Sequence, residues 1–322
     1  MKLLLTIVLA VAALYAGFWV VASRGLDRGL QAGIAAAEAQ GWRIETGSLS
    51  TGGFPSRFDV TARDMTVTSP DGRLVWQAPW VETAALSYQP NKIIAVFPPD
   101  QTLDIGGQRV MVASDGLRAS AAVAAETDLG FQTLTVESQS LSLMSPAGAG
   151  LTAGHSLLAL RTLEPQPNTY EAYLDLDNVI PAGGLPGLPA GPARLSADAT
   201  VVLDRPLDRH ALLPTRPLVT AVTLNSLDLT WGDLRLTGRG TLDVDARGIP
   251  TGQLDMTAKG WEAVVDLLAA TGVIAPQSVQ TIRTLGGLMV SDGALTLPLT
   301  FAEGGMALGP IPLGAAPLIR LP

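Results

Sequence analysis

Hydrophobic positions follow three successive patterns along the chain, and each predicts a different kind of element. From Leu3 to Ala22 the residues are uncharged, and only Thr6, Tyr15 and Trp19 carry a polar atom in the side chain. About 20 apolar residues in a helix span the roughly 30 Å hydrocarbon core of a bilayer, so residues 3–22 predict one membrane-crossing helix. Tyr15 and Trp19 lie toward its far end, where amphipathic rings favour the headgroup boundary. Signal-peptide apolar regions run only about 7–15 residues. The length of this run therefore favours an uncleaved signal anchor over residues 1–23. A secretory signal cleaved at Val20-Val21-Ala22 is the alternative, and both readings export the remainder.

In the second pattern, over residues 24–41, Leu26, Leu30, Ile34 and Ala37 recur at helical spacing while Arg28, Gln31 and Glu38 point elsewhere. This predicts a stalk helix whose narrow stripe packs on the domain it carries or on a partner helix. Gly41 suits the position just past its end, where a left-handed residue is needed.

From Trp42 onward the period shortens to two. Phe58, Val60 and Ala62 alternate with Asp59, Thr61 and Arg63, and Met65 and Val67 resume one position out of phase, which predicts a bulge near Asp64. Pro70-Asp71-Gly72 predicts a turn. Short strand candidates then follow at 73–87, 92–97, 101–105, 108–113, 117–124, 131–144, 151–163 and 169–178. Residues 181–193, PAGGLPGLPAGPA, are too rich in Pro and Gly for helix or central strand. They predict a hinge or a crossing loop between a first β-rich half (42–180) and a second (194–322).

In the second half Val222 and Leu224 alternate, Leu227, Leu229 and Trp231 alternate in shifted phase, and Leu234 and Leu236 continue the pattern. Thr230, Asp233, Arg235 and Thr237 take the opposite positions. Two short helices are expected near 260–286: one with Trp261, Val264, Leu267 and Leu268 on a face, one beginning at Pro276, with Gly272 and Gly286 as stops. A last strand runs over 294–301, followed by an extended Pro-rich tail. The fold class predicted is mainly β: antiparallel meandering sheet or sheets, forming a sandwich or a curved gutter. An N-terminal transmembrane and stalk helix and two short C-terminal helices complete it.

Composition narrows the functional classes. A net charge of −8 without any basic run argues against nucleic acid, whose phosphates need Lys/Arg-rich surfaces. Cys 0 removes disulfides, cysteine metal sites and thiol catalysis. Only 16% of the 322 residues are charged, and Gly 34 and Pro 23 suit short strands and turns. His155 and His210 have no acidic partner at a motif spacing, and no G-x-S-x-G elbow, Walker, zinc or EF-hand pattern occurs. Asp175 and Asp177 share a strand face and could bind a cation, but read more simply as the solvated side opposite Leu174 and Leu176. Asp204 and Asp208 read as turn residues, and Gly238-Arg239-Gly240 as a bend within a strand. No catalytic residue, cofactor or metal is expected.

A sheet with one apolar face must cover it, either with itself or with a ligand bearing a long hydrocarbon part. Val222, Leu224, Leu227, Leu229, Trp231, Leu234 and Leu236 are the candidate lining of such a groove, or else ordinary core.

Gly53-Phe54-Pro55-Ser56-Arg57-Phe58-Asp59, Trp76-Gln77-Ala78-Pro79 and Leu86-Ser87-Tyr88-Gln89-Pro90-Asn91-Lys92 together resemble the domain of unknown function 2125 family. Its members are exported, singly anchored bacterial proteins. The C-terminal half also resembles the AsmA-like group in Gly240-Thr241-Leu242-Asp243-Val244-Asp245, Gly252-Gln253-Leu254, the helix 260–271, Asp292-Gly293-Ala294-Leu295 and Gly309-Pro310-Ile311-Pro312-Leu313. That likeness implies a β-rich periplasmic protein of the inner membrane linked to lipid movement, and this chain is much shorter than the bridge-forming members. The expectation is a single-pass inner-membrane protein, bulk in the periplasm, that handles phospholipid or another amphiphile without catalysis. A scaffold binding another envelope protein is the alternative, and an envelope hydrolase comes third.

Overall fold

The computed structural model describes residues 2–182, 189, 191–211, 216–270, 274, 277, 279–291, 293–309 and 311–321. Side chains are described from residue 14 onward, apart from 167, 267, 268, 270, 285 and 289. Two compact units result, Met1–Ala122 and Val123–Pro322. The expected divide at 181–193 is instead a connection inside the second unit, because the strands on either side of it are antiparallel neighbours (Val179 opposite Ala193).

The first unit begins with α1 (Lys2–Ala39), in which the expected anchor and stalk are one uninterrupted helix. It closes as the sequence predicts. Gly41, at φ 91°, allows its own N–H to reach Glu38 O (2.9 Å) and the Trp42 N–H to reach Ala37 O (3.1 Å), the Schellman arrangement. Among the described residues no helix is long and apolar enough to cross a membrane. The side chains of residues 3–13 of the apolar run lie outside that description.

Eight strands complete this unit: β1 (Arg43–Glu45), β2 (Ser48–Gly52), β3 (Arg57–Thr68), β4 (Leu74–Leu86), β5 (Gln89–Val96), β6 (Asp100–Ile105), β7 (Gln108–Asp115) and β8 (Arg118–Val123). The β3–β4 hairpin is the spine, paired from Arg57–Leu86 to Thr68–Val75. β1 and β2 flank β3, while the two halves of β4 take β6 and β5, which in turn carry β7 and β8. The phase change expected as a bulge near Asp64 takes another form. Asp64 sits at φ 52°, and the ladder skips it and Pro79 without changing register. A proline has no N–H to give, and Asp tolerates the left-handed region. Both strands therefore turn over together: Phe58, Val60 and Ala62 oppose Ala85, Thr83 and Val81, and beyond the kink Met65 and Val67 oppose Ala78 and Trp76.

The second unit contains β9 (Phe131–Ser138), β10 (Ser140–Met144), β11 (Gly150–Ala153), β12 (Ser156–Leu163), β13 (Gln166–Ala182), β14 (Ala193–Leu203), β15 (Val219–Trp231), β16 (Leu234–Val244) and β17 (Pro250–Lys259). Two helices follow, α2 (Trp261–Ala270) and α3 (Val279–Met289), and then β18 (Ala294–Ala302), β19 (Gly305–Leu308) and β20 (Ile311–Ala315). From β12 to β20 each strand pairs antiparallel with the next, and β9 adds to the free side of β12. The β10–β11 hairpin pairs with the far end of β13. The stretches 131–144 and 151–163, each expected as one strand, are two strands apiece, and β1, β2, β19 and β20 lie in stretches for which no strand was expected.

α3 runs through Gly286 and does not stop there. A Cβ on Gly286 would come within 2.9 Å of the Trp261 ring, so this glycine permits close packing of the two helices. The expected stop at Gly272, the start at Pro276 and the side chains of Leu267 and Leu268 lie outside the described residues.

Candidate functional site

The chemistry of the second unit is decided by which strand residues share a face. β15 carries two residues, Asn225 and Ser226, where β16 has one, so the register shifts between Leu224 and Leu227. That bulge converts the broken alternation of the sequence into one face. Val222, Leu224, Leu227, Leu229 and Trp231 stand opposite Leu242, Gly240, Gly238, Leu236 and Leu234. Adjacent registers extend these positions into rows across the sheet. One row reads Leu297, Met256, Gly238, Leu227, Ala197, Leu174, Leu158 and Val136, on β18, β17, β16, β15, β14, β13, β12 and β9 in turn. Every member is apolar. At about 4.8 Å per strand, the row is on the order of 30 Å long.

Glycines lower the floor where this row crosses β16. A Cβ on Gly238 would meet Met256 Sδ at 2.7 Å, so Met256 and Leu227 fill the space that a side chain would take. Gly240, at φ 151°, allows the β17 backbone to approach: a Cβ there would lie 2.3 Å from Gln253 O. The Gly238-Arg239-Gly240 bend expected from the sequence is thus the β16 half of the irregularity opposite the β15 bulge.

Cover over this face is uneven. At one end α2 and α3 lie on β16–β18, tied to each other by Arg283 donating to Asp266 Oδ1 at 2.6 Å. Trp261, Val265, Ile274 and Ile282 pack there with Ala258, Leu295, Leu297 and Ile311. Between helices and sheet a cavity of about 180 Å³ remains, and among the described residues every side chain lining it is aliphatic, methionine or tryptophan. An apolar cavity of about 150 Å³ is large enough to stay dry and to take up a benzene ring. Away from the helices the cover thins. Along the row, exposure rises from 3% at Leu297 to 40% at Leu158, and Leu227, Ala197 and Leu174 between them are half-buried.

Of the seven candidate lining residues, Leu236 lines the cavity. Val222, Leu224, Leu227 and Leu229 are half-buried along the apolar face. Trp231 (6% exposed) and Leu234 (1%) form a closed cluster with Ala193, and the Trp231 indole donates to Gly191 O at 2.9 Å. At the opposite strand ends Tyr170, Leu203, Val219 and Val244 form another closed cluster, capped by Ile319 and Leu321 of the tail. The main cavity residues absent from the sequence-based set are Met256, Ala258, Leu295 and Leu297. Their alternation was visible, but nothing in it shows that two helices fold back over these strands.

The reverse face is wet. Arg194 pairs with Asp175 (3.0 Å), Arg235 with Asp228 (2.8 Å), and Asn225 Nδ2 donates to Asp198 (2.9 Å). The hydrogen bond from Arg235 holds the Asp228 carboxyl below its usual range. Exposed pairs of this kind are worth about 0–1 kcal/mol, so they mark a solvated surface more than they stabilise it. Asp175, half of the possible cation pair, accepts from Arg194 and from the Tyr173 hydroxyl, which also raises the tyrosine pKa. Among the described residues no three His, Cys, Asp or Glu side chains converge on a point that could hold a metal. His155 is exposed beside β12, and His210 lies in an exposed turn with Asp208 at 3.4 Å. Asp204 and Asp208 accept backbone N–H groups of Leu218 and His210 (both 2.7 Å) as turn residues, and both carboxyls are held below their usual range by those bonds first.

No curated protein and no solved structure matches this chain. A family model does, over residues 19–317. The match covers both units, and the chain belongs to the family described as "Uncharacterized protein conserved in bacteria (DUF2125)".

Proposed function

We propose that this is a non-enzymatic amphiphile-handling protein of the bacterial envelope, anchored in the inner membrane by residues 3–22 with its β-rich bulk in the periplasm. The apolar face of the second unit acts as a gutter. An acyl tail lies along it and ends in the cavity under α2 and α3. The observation that carries this reading is the continuity of a cavity walled by carbon and sulfur with an exposed apolar row, on a sheet whose other face is ionic. Each buried CH₂ of a tail contributes about 0.8 kcal/mol, so micromolar binding, which needs about 8 kcal/mol, takes about ten buried methylenes, shared between the cavity and the gutter that leads to it.

The test is mass spectrometry of organic extracts from the purified full chain, together with quenching by a brominated fatty acid. Trp261 lines the cavity, so bromine in the cavity quenches its emission, and a Trp261→Phe control isolates that component. Co-extracted lipid and Trp261-dependent quenching support the reading. An extract free of lipid, with emission unmoved by the probe, sinks it.

A further inference from the structure

The uncharged run of α1 is bounded by Lys2 and Arg24, and the first unit grips the helix inside that run. The Trp19 ring stacks on Phe58 (centroids 5.9 Å apart) and meets Phe54 edge-on (5.4 Å), while its indole donates to Arg57 O at 2.8 Å. One turn earlier the Tyr15 hydroxyl donates to Pro55 O at 2.9 Å and lies 3.0 Å from Ser87 Oγ. Both rings, expected at a lipid headgroup boundary, are thus spent on two protein loops, 53–57 and 86–88.

Length then decides the depth of those loops. Between Lys2 and the grip, residues 3–14 give about 18 Å of helix at 1.5 Å per residue, against a hydrocarbon core of about 30 Å. A bilayer crossed by this run must extend past Tyr15 toward Arg24, so the gripping loops reach it as well. Their surfaces suit that contact. Phe54 is 56% and Tyr88 71% exposed, and on the helix Leu14 (75%), Phe18 (54%) and Val21 (71%) also project outward. Several backbone groups at the loop tips are paired within the protein: Ser56 O accepts the Ser87 N–H (3.0 Å) and hydroxyl (3.1 Å), and the Arg57 N–H reaches Gly53 O (3.0 Å). Pro55 has no N–H, and its carbonyl takes Tyr15. Apolar surroundings tolerate backbone only when it is paired in this way. Arg57 and Lys92 are exposed nearby, with stems long enough to reach phosphate.

We propose that the loops 53–56 and 86–88 insert into the headgroup–acyl boundary of a phospholipid bilayer, holding the first unit against the membrane at three points. The inference rests on the reading of α1 as a membrane anchor.

The chain contains Cys 0, so one introduced cysteine is the sole thiol. Full-length Leu14→Cys, Phe54→Cys, Tyr88→Cys and Arg73→Cys variants, each labelled with bimane, are reconstituted into phosphatidylcholine–phosphatidylglycerol nanodiscs containing doxyl-labelled lipid. Arg73 lies at the opposite end of the β3–β4 hairpin, about 35 Å of strand away. Circular dichroism confirms that each variant is folded, and two independent loop sites guard against local damage at either. Loss of emission at 14, 54 and 88 with none at 73 supports insertion. Quenching at 14 alone overturns it and leaves the anchor standing. No quenching at 14 overturns the anchor and the insertion together.

Discussion

Ala258→Leu tests the cavity most directly, because the structure fixes both the space and the direction of the new side chain. Ala258 lies on β17 between Leu236 and Leu295, is 7% exposed, and lines the cavity of about 180 Å³. Leucine adds three carbons to that space. At about 0.8 kcal/mol per buried CH₂ the ceiling is about 2.4 kcal/mol of stabilisation. Adding methylenes to a filled core costs about 1–3 kcal/mol, but here the volume is open, so a net gain of about 1–2 kcal/mol is expected. For a unit of this size that is a rise of roughly 2–8 °C in Tm. Calorimetry of the delipidated full chain checks it. Fatty acid should then invert the order. At a hundredfold excess over Kd a ligand stabilises by about 2.7 kcal/mol, and the wild type should gain this while the filled variant gains little. A lower Tm for Ala258→Leu, with fatty acid stabilising both proteins equally, would refute the reasoning on space and on occupancy alike.

Gly240→Ala should destabilise by about 2–5 kcal/mol, since it adds backbone strain at φ 151° to a contact with Gln253 O that neither backbone can relieve; Gly72→Ala, at φ 67° with open space, should cost only about 1–2 kcal/mol, and denaturant titration of both separates clash from strain. Trp19→Ala removes one hydrogen bond and two ring contacts, together on the order of 2–4 kcal/mol, and should speed amide exchange at 53–57 and 86–88 before other strands of the first unit respond. Asp71, Asp204, Asp208 and Asp245 all have folded pKa values below their ordinary one, led by hydrogen bonds from Ser69 to Asp71 and from the backbone of Leu218, His210 and Ile249 to the other three. Their contribution is complete above the unfolded carboxyl value of about 3.9 and lost as pH falls through the lower folded values. Tm should therefore hold from pH 7 to about 5 and fall below about 4; a Tm rising in that acid range would contradict the turn geometry.

The local periods of the chain determined a good deal. A period of two over short, Gly- and Pro-punctuated stretches leaves antiparallel strands as the only economical way to satisfy the backbone. The strands on either side of Asp64 and the Schellman glycine at 41 were legible for the same local reason. Alternation also divided the second half into an apolar and a polar side, although the sequence placed Val222 and Leu227 in opposite phases. Only the bulge at Asn225 and Ser226 puts them on one face, because a bulge is set by what the partner strand opposes to it. The unit boundary at Ala122/Val123 escaped notice, since composition marks a Pro/Gly-rich loop and says nothing of whether the strands around it pair. Gly286 looked like a stop because helix propensity is local, while its purpose, room for the Trp261 ring, depends on a second helix. The cavity was invisible for the same reason. It exists where α2 and α3 cover four short stretches distant in sequence, and how much of a face is covered is decided by three-dimensional packing alone.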